Sequence, residues 1–139
     1  MAGKLTLRVI TPDRIVLDTQ AEAVRVPATD GSMGFLPRHA HLVAALDLGL
    51  LTWREGGRSQ TLFVSGGFVE VKQDTVRVVS EAGERPTEID VVRAREAEKR
   101  ARERLDQSRE AGAQIDLLRA ELALRRALVR LRAAGESRS

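Results

Sequence analysis

The feature that most constrains this chain is a change of hydrophobic period near residue 86. Before that point, apolar residues recur at every second position in short runs, as in half-buried strands. After it, they recur every three to four positions in a stretch without Gly or Pro from 88 to 109, as in an amphipathic helix. The two periods predict a β-unit over 1–86 and a helical unit over 87–139.

The first unit is predicted to be an antiparallel β-sandwich or barrel. Alternation is clear in "KLTLRVI" and weaker in "AEAVRVP", where Glu22 shares a face with two valines. Turn signals at 11–13, 29–34 and 54–59 separate short strands. The "SGG" at 65–67 lacks the Lys-Ser/Thr of a phosphate loop, so a bend or bulge within a strand is expected there. Residues 40–53 are ambiguous between helix and strand.

The second unit is predicted to be an antiparallel two-helix hairpin, with helices over 88–109 and 113–133 and a reversal at Gly112. A narrow stripe of mostly small residues is expected to face a stripe of leucines. The first stripe comprises Ile89, Val92, Ala94, Ala97, Ala101 and Leu105. The second comprises Ile115, Leu118, Leu122, Leu128 and Leu131, with Leu117, Leu124 and Val129 beside it.

Composition excludes several classes of function. The 139 residues contain no Cys, so disulfides, thiolate metal sites and Cys nucleophiles are ruled out. His39 and His41 could share a face, but no third ligand accompanies them, so no metal site is predicted. No catalytic constellation appears, and no run approaches the ~20 apolar residues of a membrane span. Membrane association would therefore go through a partner.

The arginines of residues 88–139 are the main candidates for a binding site. The net charge of +3 arises in 88–139, which holds thirteen Lys+Arg against ten Asp+Glu. Arg119, Arg126 and Arg130 share one side of the second helix, and Arg93 and Arg100 share one side of the first. Such a cluster can bind phosphate groups, or it can be a solvated face with Glu partners. A nucleic-acid-binding module using these basic helices is the alternative function, although the excess charge is modest.

The frame Ile-Asp-x-x-Arg-Ala occurs twice, as "IDVVRA" at 89–94 and "IDLLRA" at 115–120. An Asp near a helix start is favoured by the helix dipole and by unpaired N–H groups. Local helix rules therefore suffice for the second copy.

Three segments resemble the epsilon subunit of the bacterial F-type ATP synthase. They are "GSMGFLPRHAHLVAAL" at 31–46, "LFVSGGFVEVKQDTVRVVSEAGER" at 62–85 and "RAELALRRALVRL" at 119–131. The resemblance implies a ten-stranded sandwich followed by a helical hairpin. It also implies a non-catalytic subunit at the foot of the rotating central stalk, peripheral to the cytoplasmic face of the bacterial inner membrane.

The partners implied by the resemblance are the gamma subunit, the c-ring and, when the hairpin extends, the alpha/beta catalytic head. Nucleic acid is not among them. The loop against the c-ring would comprise Gly31, Ser32, Met33, Arg38 and His39. Arg38 stands where the family frequently has Asn or Gly.

The resemblance further implies that the extended helices inhibit ATP hydrolysis. No cofactor is required, but some family members bind ATP in the folded hairpin as a regulatory ligand that is not hydrolysed. The residues that match that motif here are Glu84, Ile89, Asp90, Arg93, Ala94, Arg100, Arg126 and Arg130. One ATP site is predicted, built on the first copy of the repeated frame.

Overall fold

The computed structural model describes residues 3–112 and 114–135. Within it, the chain divides into two compact units, with Arg85 ending the first and Pro86 beginning the second. Among the described residues, no helix is long and apolar enough to cross a membrane.

Eight strands build the first unit. They are β1 (Leu5–Ile10), β2 (Ile15–Ala21), β3 (Ala23–Ala28), β4 (Gly31–Phe35), β5 (Leu42–Glu55), β6 (Arg58–Lys72), β7 (Thr75–Val79) and β8 (Gly83–Glu84). The order across the sheet is β2-β1-β7-β6-β5-β3-β4, with β8 beside β6. All pairs are antiparallel except β1 with β7. Apart from this pair, the predicted antiparallel β-sandwich is confirmed.

The strand count differs from the ten that the resemblance implies. β5 and β6 are unusually long, at 14 and 15 residues, and pair with each other as a ribbon. Their ladder is interrupted between the pairs Leu46–Gly67 and Leu48–Ser65. Counting each long strand as two segments raises eight to ten. The ambiguous stretch 40–53 thus belongs to a strand from Leu42 onward.

The core follows from the period-2 pattern. Leu5, Leu7 and Val9 of β1 are fully buried, and they share one cluster with buried residues of β2 to β7. Burying such side chains stabilises the unit by about 1.5–3 kcal/mol each. Glu22 breaks the alternation because it lies between β2 and β3, where its backbone N–H donates to the carbonyl of Arg54.

The "SGG" segment lies within β6 and confirms the expected bend. Gly66 and Gly67 have φ of 72° and 105°, values that favour glycine. A Cβ on Gly67 would lie 1.9 Å from the carbonyl oxygen of Val79. The next turn uses Gln73 and Asp74, both with positive φ, to reverse β6 into β7.

The second unit is the predicted hairpin. A 3₁₀ turn at Pro86–Glu88 precedes α1 (Val91–Ala111), and α2 (Gln114–Ala133) follows. Gly112 ends α1 in the left-handed conformation, and its N–H donates to the carbonyls of Ser108 and Arg109. The first helix begins three residues later than predicted, because Asp90 caps it.

The leucine stripe predicted for α2 is wrong at three positions and right at Leu131, while Ala94 and Leu105 of the small-residue stripe predicted for α1 are buried. Leu118, Leu122 and Leu128 are exposed on α2, and Val92 is exposed on α1. The side chain of Ile115 lies outside the described part of the structure. The buried positions are instead largely small residues: Ala94, Ala101, Leu105 and Ser108 of α1, with Ala120, Ala127, Val129 and Leu131 of α2. Alanines let the two backbones approach closely, so the leucines fit outside the contact.

Candidate nucleotide site and interface loop

The hairpin carries arginines from both helices on one side. On α1, Arg93, Arg100 and Arg104 are seven and four residues apart and therefore share a face. Arg104 lines a cavity of about 530 Å³ together with Arg119 and Arg126 of α2. The Arg104 end of the first row therefore lies beside Arg119 and Arg126 of α2.

Asp90 has a local structural task. Its Oδ1 accepts a hydrogen bond of 3.1 Å from the backbone N–H of Arg93, which caps α1. Ile89 and Ala94 are buried, while Arg93 is exposed. The frame Ile-Asp-x-x-Arg-Ala therefore combines a capping carboxylate, two anchoring apolar groups and one outward cation.

The second copy of the frame serves its helix differently. Asp116 lies in the first turn of α2, where the helix dipole favours a carboxylate. Ala120, at the end of that copy, is buried like Ala94. Asp116 also lines the hairpin cavity, which sequence reasoning did not foresee.

The residues predicted for ATP spread along the hairpin. Arg93 and Arg100 are seven positions apart, about 10 Å along α1. Of the eight predicted residues, Arg126 is the one that lines the cavity. Arg104 was missed, although its place four residues after Arg100 on the same face was the available signal. Glu84 lies in β8 of the first unit, half-buried and paired with Phe63.

The predicted c-ring residues lie on β4 and in the segment after it. Gly31, Ser32 and Met33 were expected in a glycine-rich turn, but they belong to β4, an edge strand paired with β3. The tight turn falls just before, at 29–30. One edge of β4 is therefore open within this sheet, as in strands that add a partner.

Arg38 and His39 are held by neighbouring residues. Arg38 has a φ of 67°, and its backbone N–H donates to Oδ1 of Asp74 at 2.6 Å. The His39 ring meets the Phe35 ring edge to face, with centroids 5.1 Å apart. The left-handed backbone at Arg38 explains why Asn or Gly suits this position.

An exposed apolar patch lies on the outer side of β5 and β6, and sequence reasoning missed it. Val43 and Phe68 are 65% and 39% exposed, respectively. Ala45 is paired with Phe68, so the three side chains point to the same side of the ribbon. A contiguous exposed apolar patch can mark a protein contact surface.

Titratable side chains do not assemble into a metal centre in the ranges that the structure describes. No group of three or more His, Cys, Asp or Glu residues there is placed to hold a metal ion.

Comparison with known proteins identifies relatives along the whole described chain. The family model for the ATP synthase delta/epsilon chain β-sandwich domain matches residues 4–86, and that for the long α-helix domain of the same chain matches 87–135. The ATP synthase epsilon chain of Symbiobacterium thermophilum is 51% identical over 132 residues, covering 94% of this chain and 93% of the relative. That of Carboxydothermus hydrogenoformans is 48% identical over 105 residues, covering 76% and 78%.

A solved structure is similar over the same extent. It is a chain in the cryo-EM structure of the Euglena gracilis mitochondrial ATP synthase, described as OSCP, F1 and c-ring. The TM-score is 0.78 at 25% identity, and the match covers 94% of this chain and 81% of that one.

Proposed function

Because the chain belongs to the ATP synthase delta/epsilon chain family, we propose that its two units have separate tasks in the enzyme. Family membership makes it a non-catalytic subunit of the central stalk of an F-type ATP synthase. In this proposal the sandwich joins the rotor, and the hairpin regulates ATP hydrolysis. The observation that carries it is that both units match the same family chain, in order, from 4 to 135.

The sandwich offers two surfaces for the rotor. The open edge of β4, with Arg38 and His39 after it, is the surface proposed for the c-ring. The apolar patch of Val43, Ala45 and Phe68 is proposed to pack against the gamma subunit. The protein would then lie peripherally at the cytoplasmic face of the membrane, attached through these partners.

The hairpin is suited to a second position beside other subunits. Its helices meet largely through small side chains, which bury less apolar area than large ones, so separating them costs less than opening an all-leucine contact. Leu118 and Leu122 already face outward and could pack on a partner. Placed end to end, helices of 21 and 20 residues span about 60 Å, enough to extend towards the catalytic head.

Deleting residues 88–139 tests the regulatory part of the proposal. The assembled enzyme should hydrolyse ATP faster without the hairpin, while the sandwich still supports assembly. An unchanged hydrolysis rate in correctly assembled enzyme would refute the inhibitory role. Failure to assemble when 1–87 is intact would refute the division of tasks.

We also propose ATP as a regulatory ligand of the folded hairpin. Arg93, Arg100, Arg126 and Arg130 supply guanidinium groups from both helices, which suits phosphate oxygens. Asp90, with Ile89 and Ala94 buried beside it, would orient the nucleoside end. Glu84, which belongs to the first unit, stays a prediction from the resemblance. A ligand that binds only the folded hairpin shifts the equilibrium towards it.

Titration of the full chain with ATP tests this ligand. Arg93→Ala and Arg126→Ala should each weaken binding, because they remove charge from different helices. Asp90→Ser separates two roles, because Ser also caps a helix but lacks the carboxylate. Retained helicity with lost ATP binding would support a contact from Asp90. An Asp90→Ser variant that binds ATP normally would reduce Asp90 to a cap.

A further inference from the structure

The cavity between α1 and α2 is a more concentrated positive site than the predicted motif. It lies towards the Gly112 end of the hairpin, and its volume is about 530 Å³. Three arginines are among the residues that line it: Arg104 of α1, and Arg119 and Arg126 of α2. Ligand pockets of this size are common in proteins.

The three cations are not neutralised by their surroundings. Among the described residues, the guanidinium groups of Arg104, Arg119 and Arg126 make no hydrogen bond or ion pair. Arg102 on the same helix behaves differently, since its guanidinium binds Glu98 at 2.9 Å. Elsewhere on α1, then, a carboxylate pairs with an arginine, whereas the exposed Arg104 and Arg119 and the half-buried Arg126 pair with none among the described residues.

Asp116 is the single carboxylate that lines the cavity within the described part of the hairpin. Three guanidinium charges less one carboxylate leave two positive charges on the lining. Like charges held close together repel one another, and this repulsion weakens when a ligand carries at least two negative charges into the site. Ala120, Leu122 and Ala123 add apolar groups to the lining of the same cavity.

We propose that this cavity binds a phosphate-bearing anion of at least two charges, held by Arg104, Arg119 and Arg126. Guanidinium forks match the paired oxygens of phosphate groups and donate charge-assisted hydrogen bonds to them. Asp116 opposes the anion and limits its affinity. The site goes beyond the proposed ATP site, because Arg104 and Arg119 lie outside that set and Arg126 alone is common to both.

Inorganic pyrophosphate is the probe for this proposal. Calorimetric titration of the full chain should show saturable binding that weakens as salt is raised. Arg104→Gln and Arg119→Gln should each lower the affinity roughly tenfold, as expected for loss of a charge-assisted contact. Asp116→Asn should raise it, because the opposing charge is removed. Circular dichroism of each variant verifies that the helices remain.

Arg109→Gln is the matched control, since it removes one arginine from the same helix without touching the cavity lining. It should leave pyrophosphate binding almost unchanged. Equal weakening by Arg109→Gln and Arg104→Gln would mean diffuse attraction to a basic helix and would overturn the site. Absence of pyrophosphate binding to the wild-type chain would overturn it as well.

Arg93→Gln separates this site from the ATP proposal. Arg93 belongs to the predicted ATP set but does not line the cavity. Pyrophosphate binding that depends on Arg104 and ignores Arg93 supports the cavity site, whether or not the chain binds ATP. Pyrophosphate binding that depends on Arg93 and ignores Arg104 overturns it.

Discussion

The two units are stabilised by different kinds of contact. In the sandwich, large side chains such as Leu7, Leu51 and Phe63 are fully buried by strands distant in sequence. In the hairpin, half of the buried helix residues are alanines, and α1 carries local caps at both ends. Since hydrophobic stabilisation scales with buried apolar area, the hairpin gains less stabilising free energy per residue than the sandwich. A platform that keeps its shape is thus joined to helices that can be separated more easily.

Two spectroscopic signals follow the units separately. Trp53 is the sole Trp of the chain and is buried in the sandwich core, so its fluorescence reports that unit. The α-helices lie in the second unit, so far-UV circular dichroism in the helical bands reports the hairpin.

The largest effect is expected from Gly67→Ala in the sandwich. The new Cβ would lie 1.9 Å from the carbonyl oxygen of Val79, a backbone atom that cannot rotate away, and φ is 105°. We expect the free energy of unfolding to fall by roughly 3 kcal/mol or more, measured by denaturant titration of Trp53 fluorescence. Gly66→Ala is the control, because its Cβ meets nothing within 4 Å, although φ is 72°. Equal losses in the two variants would contradict the clash.

Ala127→Leu probes the hairpin seam. Ala127 is 1% exposed, so the larger side chain must force the helices apart, at a cost of about 1–3 kcal/mol. Thermal unfolding followed by circular dichroism should show the loss, while Trp53 fluorescence changes little. The neighbouring Leu128→Ala should cost less, since Leu128 is exposed. A seam that accepts the larger side chain without loss would mean that the helices are not closely packed.

Asp90→Ala should lower hairpin stability by about 1 kcal/mol, because the N–H of Arg93 loses its acceptor. Asp116→Ala, in the second copy of the repeated frame, should cost only a few tenths of a kcal/mol through the helix dipole. Thermal unfolding of both variants, followed by circular dichroism, compares how much each aspartate contributes to the stability of the hairpin. Indistinguishable losses would show that the copies play the same structural role.

Arg38→Gly should stabilise the sandwich by about 0.5–1 kcal/mol. The left-handed backbone at φ of 67° strains Arg and suits Gly, although the glycine also gains freedom in the unfolded chain. The hydrogen bond to Asp74 uses the backbone N–H and survives the change. Denaturant titration of Trp53 fluorescence measures the gain. A loss of stability would mean that the Arg38 side chain makes a contact worth more than the strain.

Local patterns predicted most of the architecture. Alternation identified β1, the break near 86 preceded the first helix, and Gly112 was correctly expected to reverse the hairpin. The parallel neighbour of β1 was not predictable, because pairing between Thr6 and Thr75 leaves no trace in either strand's own period. The left-handed backbone at Arg38 became known only from its φ angle in the structure. The position of Glu22 between two strands became known only from the observed strand boundaries.

The leucines of α2 show why sequence reasoning misplaced the hairpin contact. Hydrophobicity ranks Leu118 and Leu122 above Ala120 and Ala127, yet the helices meet on the alanines. Close approach of two backbones favours small residues, and this preference outweighed side-chain size. For the same reason the cavity could not be predicted, because the position of Arg104 relative to α2 depends on which faces of the two helices meet.

The parallel neighbour of β1 has a consequence for how the protein is made. Thr6 and Thr75 are paired although 69 positions separate them, so one edge of β1 stays open until β7 has been synthesised. Closing so long a loop is slow compared with forming the adjacent β1–β2 pair. Leu5, Leu7 and Val9, which are buried in the folded protein, therefore stay partly exposed in the nascent chain while its sheet is incomplete. On the ribosome, an early strand of the protein is among the last to gain both neighbours.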